Sequence, residues 1–414
     1  MRSFTSGAFL ACALSLAAPA RAADGDFRWV QHTANGVEMR AATLDRACPA
    51  AQIDGRPATL KVRSAPGPGF PVMICVANLP PGAKSAMIGG AGLPLPKPRP
   101  DRILLIGDTG CRLSFPLFQA CNNPTEWPFP NGAEAAAATR PDLVIHLGDF
   151  HYREQACPLG DRGCQGTAFG DNWDVWRADF FDPARPLLET APWVMVRGNH
   201  EECQRGGKGW SRALDPYDGV SPSGCLQAGA PFAVDLGGVT LVALDTATAA
   251  ELRVRPEQST RYRKDFADVA RLAPQGPVWL AFHRPIWAVA ANLMGVAIGG
   301  NATLADAHGA IPRNVEAILS GHVHTFQIMD FEVDLPVQVI VGHGGDQLHR
   351  TASDNPSGLT VKGAKIRTGR GTSGVFGYAM LERRDGGDWT LTNMDFTGKL
   401  LLTCDLAGRR IDCR

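Results

Sequence analysis

Five short blocks in this 414-residue chain carry side chains able to bind metal ions. In order they are IGDTG at Asp108, LGDFHY at Asp149 and Tyr152, RGNHE at Asn199 and His200, AFH at His283, and SGHVH at His322 and His324. Carboxylate, imidazole, amide oxygen and phenol are hard-to-borderline donors, suited to Fe, Zn or Mn. Two metal ions about 3.5–4 Å apart need a shared carboxylate, and such a pair clamps both the attacking and the leaving oxygen of an in-line displacement at phosphorus. Taken singly, each block is weak: Gly-Asp after an apolar run is more often a turn than a ligand. Gly-His-x-His and Gly-Asn-His-Glu say more, and the ordered conjunction decides.

The elements around the blocks share one texture. From Arg102 onward, apolar runs (RILLIGD, DLVIHLGD, PWVMVRGN, VTLVALD, PVWLAFH, VEAILSGH, VQVIVGHGG) each end in a loop rich in Gly, Asp, Asn or His. Continuous apolar strands of this kind belong to sheets covered on both faces. Open α/β sheets gather their ligands beyond the carboxyl ends of such strands, where every block lies. Helices are expected at Asn172–Phe181 and Ser259–Leu272, and the alternating tail (YAMLERR, DWTLTNMDF, KLLLTCDL) reads as antiparallel strands. Residues 23–98 lack catalytic clusters, contain short β-type runs and end in the proline-rich LPLPKPRP, so they read as a small all-β domain ahead of a catalytic domain at 99–414.

The order Asp…GD…GNH(E)…H…GHxH resembles the calcineurin-like metallophosphoesterase superfamily over roughly residues 100–350. The resemblance implies an α/β fold, a β-sandwich flanked by helices in four α/β/β/α layers. Two details resemble the purple acid phosphatase branch: Gly110 stands where most of the superfamily has histidine, and Tyr152 follows Asp149 by three residues. VGHGG at Val341 is similar to a glycine-rich strand end of those phosphatases. Carried over residue by residue, the resemblance implies that Asp108, Tyr152 and His324 hold a first metal, Fe(III). Asp149 would bridge, and Asn199, His283 and His322 would hold a divalent Fe, Zn or Mn. The residues support the exchange, since a phenolate can fill the gap left by a missing imidazole and favours a trivalent ion. His200 would stand over the leaving group as proton donor. Glu201 is expected to orient neighbours. His151 and Arg153 line the site or face solvent, while His308, His343 and His349 are further candidates for phosphate contact or proton transfer that read first as structural residues. His146, within its strand, reads as a core histidine.

The implied reaction is hydrolysis of a small phosphate monoester by in-line attack of metal-bound hydroxide. Alternatives are a phosphodiesterase or nucleotide phosphatase on the same scaffold, or a non-catalytic metal-binding protein of this fold. No HExxH helix signature supports a peptidase. Formal net charge is zero, which argues against nucleic acid as a partner. Arg2, the apolar Ala8–Ala18 run and Ala20-Arg21-Ala22 read as a signal peptide over residues 1–22, directing a secreted or periplasmic protein. No later stretch is long and apolar enough to span a membrane. Of eleven cysteines, Cys12 falls in that segment and an even number remains. Nearest neighbours would pair as Cys111–Cys121, Cys157–Cys164, Cys203–Cys225 and Cys404–Cys413, leaving Cys48 with Cys75. The loops Arg153–Asn172, Gln204–Gly224 and Ala288–Ala305 are expected to wall the pocket.

Overall fold

A computed structural model describes residues 26–218, 224–291, 297–349 and 353–414. The expected signal peptide, and parts of two of the expected pocket loops, lie outside these residues. Two large mixed sheets, of eleven and eight strands, dominate the architecture.

In the first sheet, Arg102–Ile106, Leu143–His146 and Trp193–Met195 run parallel, with Leu143 paired to Ile103 and Val144 to Trp193. In the second, Thr240–Ala243, Val278–Ala281, Val315–Ser320 and Val337–Val341 are parallel neighbours. Because successive strand residues point to opposite faces, alternate side chains enter different cores. Ile103, Leu105, Ile145 and Val194 meet Leu241, Trp279, Ala317 and Val339 between the sheets. Leu104, Ile106, Val144 and Trp193 pack outward with Ala133, Ala136, Phe180 and Leu187 of flanking helices. Val242, Leu280, Ile318 and Ile340 pack outward on the far side against Tyr262, Phe266 and Val269. The fold is therefore α/β/β/α, and continuous burial of these strands explains their unbroken apolar runs.

The helix Pro256–Leu272 begins three residues before the expected start, because Pro256 presets the first helical turn. Expected helical structure at Asn172–Phe181 continues to Leu188, opened by Asn172, whose side chain accepts from Val175 N at 3.2 Å. The further helix Phe129–Ala138 is built on an alanine-rich run of high helix propensity.

The N-terminal β region joins this frame directly. Phe27–Thr33 pairs parallel with Trp193–Met195, and Gly36–Thr43, Met73–Asn78 and Lys61–Ser64 extend the same sheet antiparallel. Phe27, Trp29 and Ile74 share the outer core with the helices. A separate four-stranded sheet of short strands covers the other face over Val30, Met39 and Cys75. The tail strands Gly377–Arg383, Trp389–Asp395, Leu400–Ala407 and Arg410–Cys413 are antiparallel, as expected, and complete the opposite edge of the first sheet.

All five cysteine pairs expected from spacing are present as disulfides. Asn301, first residue of a glycosylation sequon, is buried and caps the helix Ala302–Ala307 by accepting from Leu304 N at 2.9 Å.

Candidate metal centre

Asp108, Asp149, Asn199, His283 and His322 all follow the carboxyl ends of parallel strands, and both sheets present those ends to one cleft. The turns that aim them are unusual. Asp108, Asp149 and His322 have φ of 56°, 60° and 69°, the left-handed region that costs a side-chain-bearing residue roughly 1–3 kcal/mol. The surroundings hold them there. Asp108 N donates to Gly148 O at 2.9 Å, Asp149 N donates to Glu201 Oε2 at 3.0 Å, and His322 N donates to Asp108 Oδ2 at 2.9 Å. Glu201 also accepts from Phe150 N, His151 N and Gly198 N at 2.8, 3.1 and 2.9 Å, the orienting role expected of it. At Gly198 the approach is so close that an added Cβ would lie 2.1 Å from Asp149 Oδ1.

Two groups of donor atoms meet at Asp149. In the first, the Tyr152 hydroxyl lies 3.0 Å from Asp108 Oδ1, 2.9 Å from Asp149 Oδ2 and 3.0 Å from His324 Nε2. His324 Nδ1 lies 2.8 Å from Gln347 O, which can only accept, so Nδ1 carries the proton and Nε2 offers its lone pair to the cluster. In the second, His283 Nε2 lies 3.0 Å from the same Asp149 Oδ2 and 3.1 Å from Asn199 Oδ1. His283 Nδ1 donates to Leu147 O at 2.7 Å, again leaving Nε2 as the donor to a cation. A ring nitrogen of His322 completes this group, within 4.8 Å of atoms of Asp149 and His283.

The buried groups of the cluster act strongly on one another's ionisation. Burial, then the Asp108 and Asp149 carboxylates, pushes the Tyr152 phenol well above its ordinary value. Burial disfavours a charged His283, but Asp149 overrides it and raises the ring to about 9. The cluster therefore calls for positive charge, and a metal ion supplies it while reversing the penalty on the phenolate. Lone pairs converging around one shared carboxylate oxygen fit two adjacent ions.

Gly110 bears on the same point. A Cβ there would sit 2.7 Å from Phe150 O and 3.0 Å from Tyr152 Cδ2, so the tyrosine ring fills the space that a longer residue would need.

His200 lies buried with its ring centroid 3.8 Å from that of Tyr152, and its Nδ1 is 2.9 Å from Glu154 Oε1. Arg205 Nε donates to the same Glu154 oxygen at 2.6 Å. Burial, reinforced by the Arg205 guanidinium, outweighs Asp149 and lowers His200 to about 4.

Other candidates fall into place or out of it. His349 reaches the cleft, its ring stacked 4.3 Å from His324. His151 and Arg153 neither line the cleft nor face solvent. Both are buried, His151 against Gly170 O and Trp176, Arg153 against Asp179 and Trp127. His308 packs on Trp287, and His343 is buried with Nε2 2.9 Å from Asn393 Oδ1. His146 is the core histidine expected: it accepts from Gly148 N at 3.2 Å, contacts Thr109 Oγ1 at 3.0 Å and stacks on Phe150. It thereby ties the first two metal-binding loops together.

The cleft has a volume of about 410 Å³. Its wall departs from expectation. Gly299 and Gly300 contribute from the Ala288–Ala305 loop, but the described residues of Arg153–Asn172 and Gln204–Gly224 do not, and Arg112, Glu251, Leu252 and Lys362 do. Sequence reasoning also missed Asp179, which accepts from Cys111 N, Tyr152 N and Arg153 N at 3.1, 2.8 and 3.1 Å and so fixes the tyrosine loop. Asp179 lies in an unremarkable helical stretch and carried no signal. Arg112 and Arg284, adjacent to the Asp108 and His283 blocks, carried a positional one.

A family model for calcineurin-like phosphoesterases matches residues 101–326, more than half of the chain. The chain belongs to the calcineurin-like phosphoesterase family. Membership implies a metal-dependent hydrolase of phosphoesters. Solved structures agree on the fold. A purple acid phosphatase, PPD1 of yellow lupin seeds, superposes with a TM-score of 0.58 at 15% identity, over 92% of this chain and 74% of its own. PhoD superposes with a TM-score of 0.53 at 11% identity, over 94% of this chain and 91% of its own. No curated protein matches the chain. Within this calcineurin-like phosphoesterase, the five disulfides are the kind of cross-link that persists in oxidising compartments. Among the described residues no helix is long and apolar enough to cross a membrane.

Proposed function

We propose that this chain is an exported phosphatase of the purple acid type, hydrolysing small phosphate monoesters at a dinuclear centre. Asp108, Tyr152 and His324 hold the first metal, Fe(III), and Asn199, His283 and His322 hold a divalent Fe, Zn or Mn. Asp149 bridges them. The observation that carries the reading is the position of Asp149 Oδ2, 2.9 Å from the Tyr152 hydroxyl and 3.0 Å from His283 Nε2. The signal-like residues 1–22 and the disulfides support export.

Two bound ions would supply Lewis acidity and a water acidified enough to act as nucleophile. The chain's own residues do the rest. Oriented histidines, each with its other nitrogen engaged by a carbonyl or carboxylate, hold the centre rigid. His200, kept in place by Glu154 and by the Tyr152 ring, is the proposed proton donor to the leaving oxygen, and its lowering to about 4 confines that role to acidic pH. The cleft leaves room for a phosphate ester beside Asp149, Asn199 and His322.

Metal analysis and an absorption spectrum of the purified protein test the reading. Expected are two equivalents of metal, including iron, and a visible charge-transfer band abolished in Tyr152→Phe. Two equivalents of divalent metal and a colourless protein would place the centre with the wider family and refute the iron-tyrosinate. Turnover of an aryl phosphate well above that of a bis-aryl phosphate is expected, and the reverse order would favour a diesterase.

A further inference from the structure

His322 differs from the other two histidines of the cluster in how its outer nitrogen is held. His283 and His324 each give a proton to a main-chain carbonyl. His322 Nε2 instead lies 3.0 Å from a carboxylate oxygen, Glu251 Oε2. Arg284 NH1 also lies 3.2 Å from Nε2, but it is closer to the same Glu251 oxygen, to which it donates at 2.9 Å. A carboxylate can only accept, so with Glu251 as its nearer partner Nε2 carries the proton and Nδ1 is left to take a metal. Arg284 is fixed in turn, its Nε donating to Ala247 O at 3.1 Å, and it directly follows His283. One carboxylate thus ties together the loops that carry two of the histidines. Glu251 and Arg284 are only partly exposed, with side chains 28% and 13% accessible, so the pair is not a screened surface contact.

We infer that Glu251 is the positioning residue of the second metal site, setting the tautomer and ring orientation of His322 through a hydrogen bond from Nε2, with Arg284 as its clamp. The inference rests on the dinuclear reading above. A carboxylate behind a metal-binding imidazole fixes the ring and raises its basicity, and loss of such a partner typically costs about 10–100-fold in metal affinity. The first site has its own outer partners, since His324 Nδ1 also lies 3.3 Å from Asp346 and Asp346 pairs with Arg112. The two sites should therefore respond separately.

The test is titration of the full-length protein, its first site loaded with iron, with zinc(II) against a competing chelator, while the visible band is followed. Glu251→Ala should weaken the second-site zinc affinity by about 10–100-fold and leave the first-site band unchanged. Glu251→Gln, whose amide oxygen still reaches the ring N–H, should recover most of the affinity. Glu251→Asp, which keeps the charge but withdraws the oxygen, should not. Recovery by Asp and not by Gln would mean a charge effect at a distance and would overturn the inference. Unchanged zinc affinity in Glu251→Ala would overturn it too, with the dinuclear reading intact. A wild-type protein that takes up no second ion would overturn both.

Discussion

Gly110 and the ring of Tyr152 compete for one volume: a single methyl group at Gly110 would come within 3.0 Å of Tyr152 Cδ2 and 2.7 Å of the Phe150 carbonyl oxygen. The two sequence features that suggested a tyrosinate centre are thus one packing fact. At Gly110 the Phe150 carbonyl and the Tyr152 ring together leave no room for a side chain.

Gly110→Ala should accordingly be destabilised by about 1–3 kcal/mol, the usual cost of overpacking a filled interior. A backbone carbonyl is among the atoms met, so the tyrosine ring cannot relieve the clash alone. Thermal melting measures the loss. A displaced Tyr152 should also weaken or shift the visible band, and a band identical to wild type would show that the ring does not depend on Gly110.

His200→Asn should lower kcat by about 10²–10⁴-fold for an alkyl phosphate, the range associated with loss of a positioned proton donor. For p-nitrophenyl phosphate, whose leaving group needs little protonation, the loss should be much smaller. Equal losses on both substrates would assign His200 to shaping the turn and not to proton transfer.

Asp179 is fully buried, ion-paired with Arg153, and holds three main-chain N–H groups of the loops at Cys111 and Tyr152. Asp179→Ala should cost about 3–5 kcal/mol, because it leaves a buried guanidinium without its partner. Asp179→Asn, which keeps one acceptor, should cost less. Urea unfolding would check the order, and a cost under 1 kcal/mol for the alanine variant would contradict this account.

His343 provides a pH signature away from the metal-binding residues. Burial lowers it from 6.5 to about 4, although its contact with Asn393 acts the other way. Between those values the unfolded chain binds a proton that the native state does not. This contribution is therefore fully present above pH 6.5 and is lost as pH falls toward 4. His343→Gln should flatten the stability–pH profile in that window by up to about 1.4 kcal/mol per pH unit, one proton's worth. Melting temperatures of both proteins from pH 4 to 7 would check it, and parallel profiles would contradict it.

Much of the centre was legible along the chain because its donors sit in strand-end turns, where a short motif fixes both residue type and backbone geometry. Asp108, Asp149 and His322 illustrate this: each follows or precedes glycine, and each adopts a left-handed φ that only such a turn tolerates. The cysteine pairs follow nearest-neighbour order along the chain, although spacing by itself does not fix connectivity. The long apolar runs gave the two-sheet core, because strands buried on both faces have no reason to alternate.

Other features depend on chain crossings that no local pattern encodes. Glu251 and Asp179 reach the centre from segments 71 and 27 residues away from His322 and Tyr152, so their roles exist only once the sheets pack. His151 and Arg153 read as cleft-lining or solvent-facing by proximity in sequence, yet both pack inward, against Trp176 and Asp179. The N-terminal strands read as a domain apart, while hydrogen bonding joins them to the strand that leads to Asn199. The sequence alone determined which donors exist, including a tyrosine three residues after Asp149 and a glycine at position 110. Tertiary structure decided that one oxygen of Asp149 is shared between two clusters, because bringing the two sheets' strand ends to a single cleft is a property of their packing and of no segment by itself.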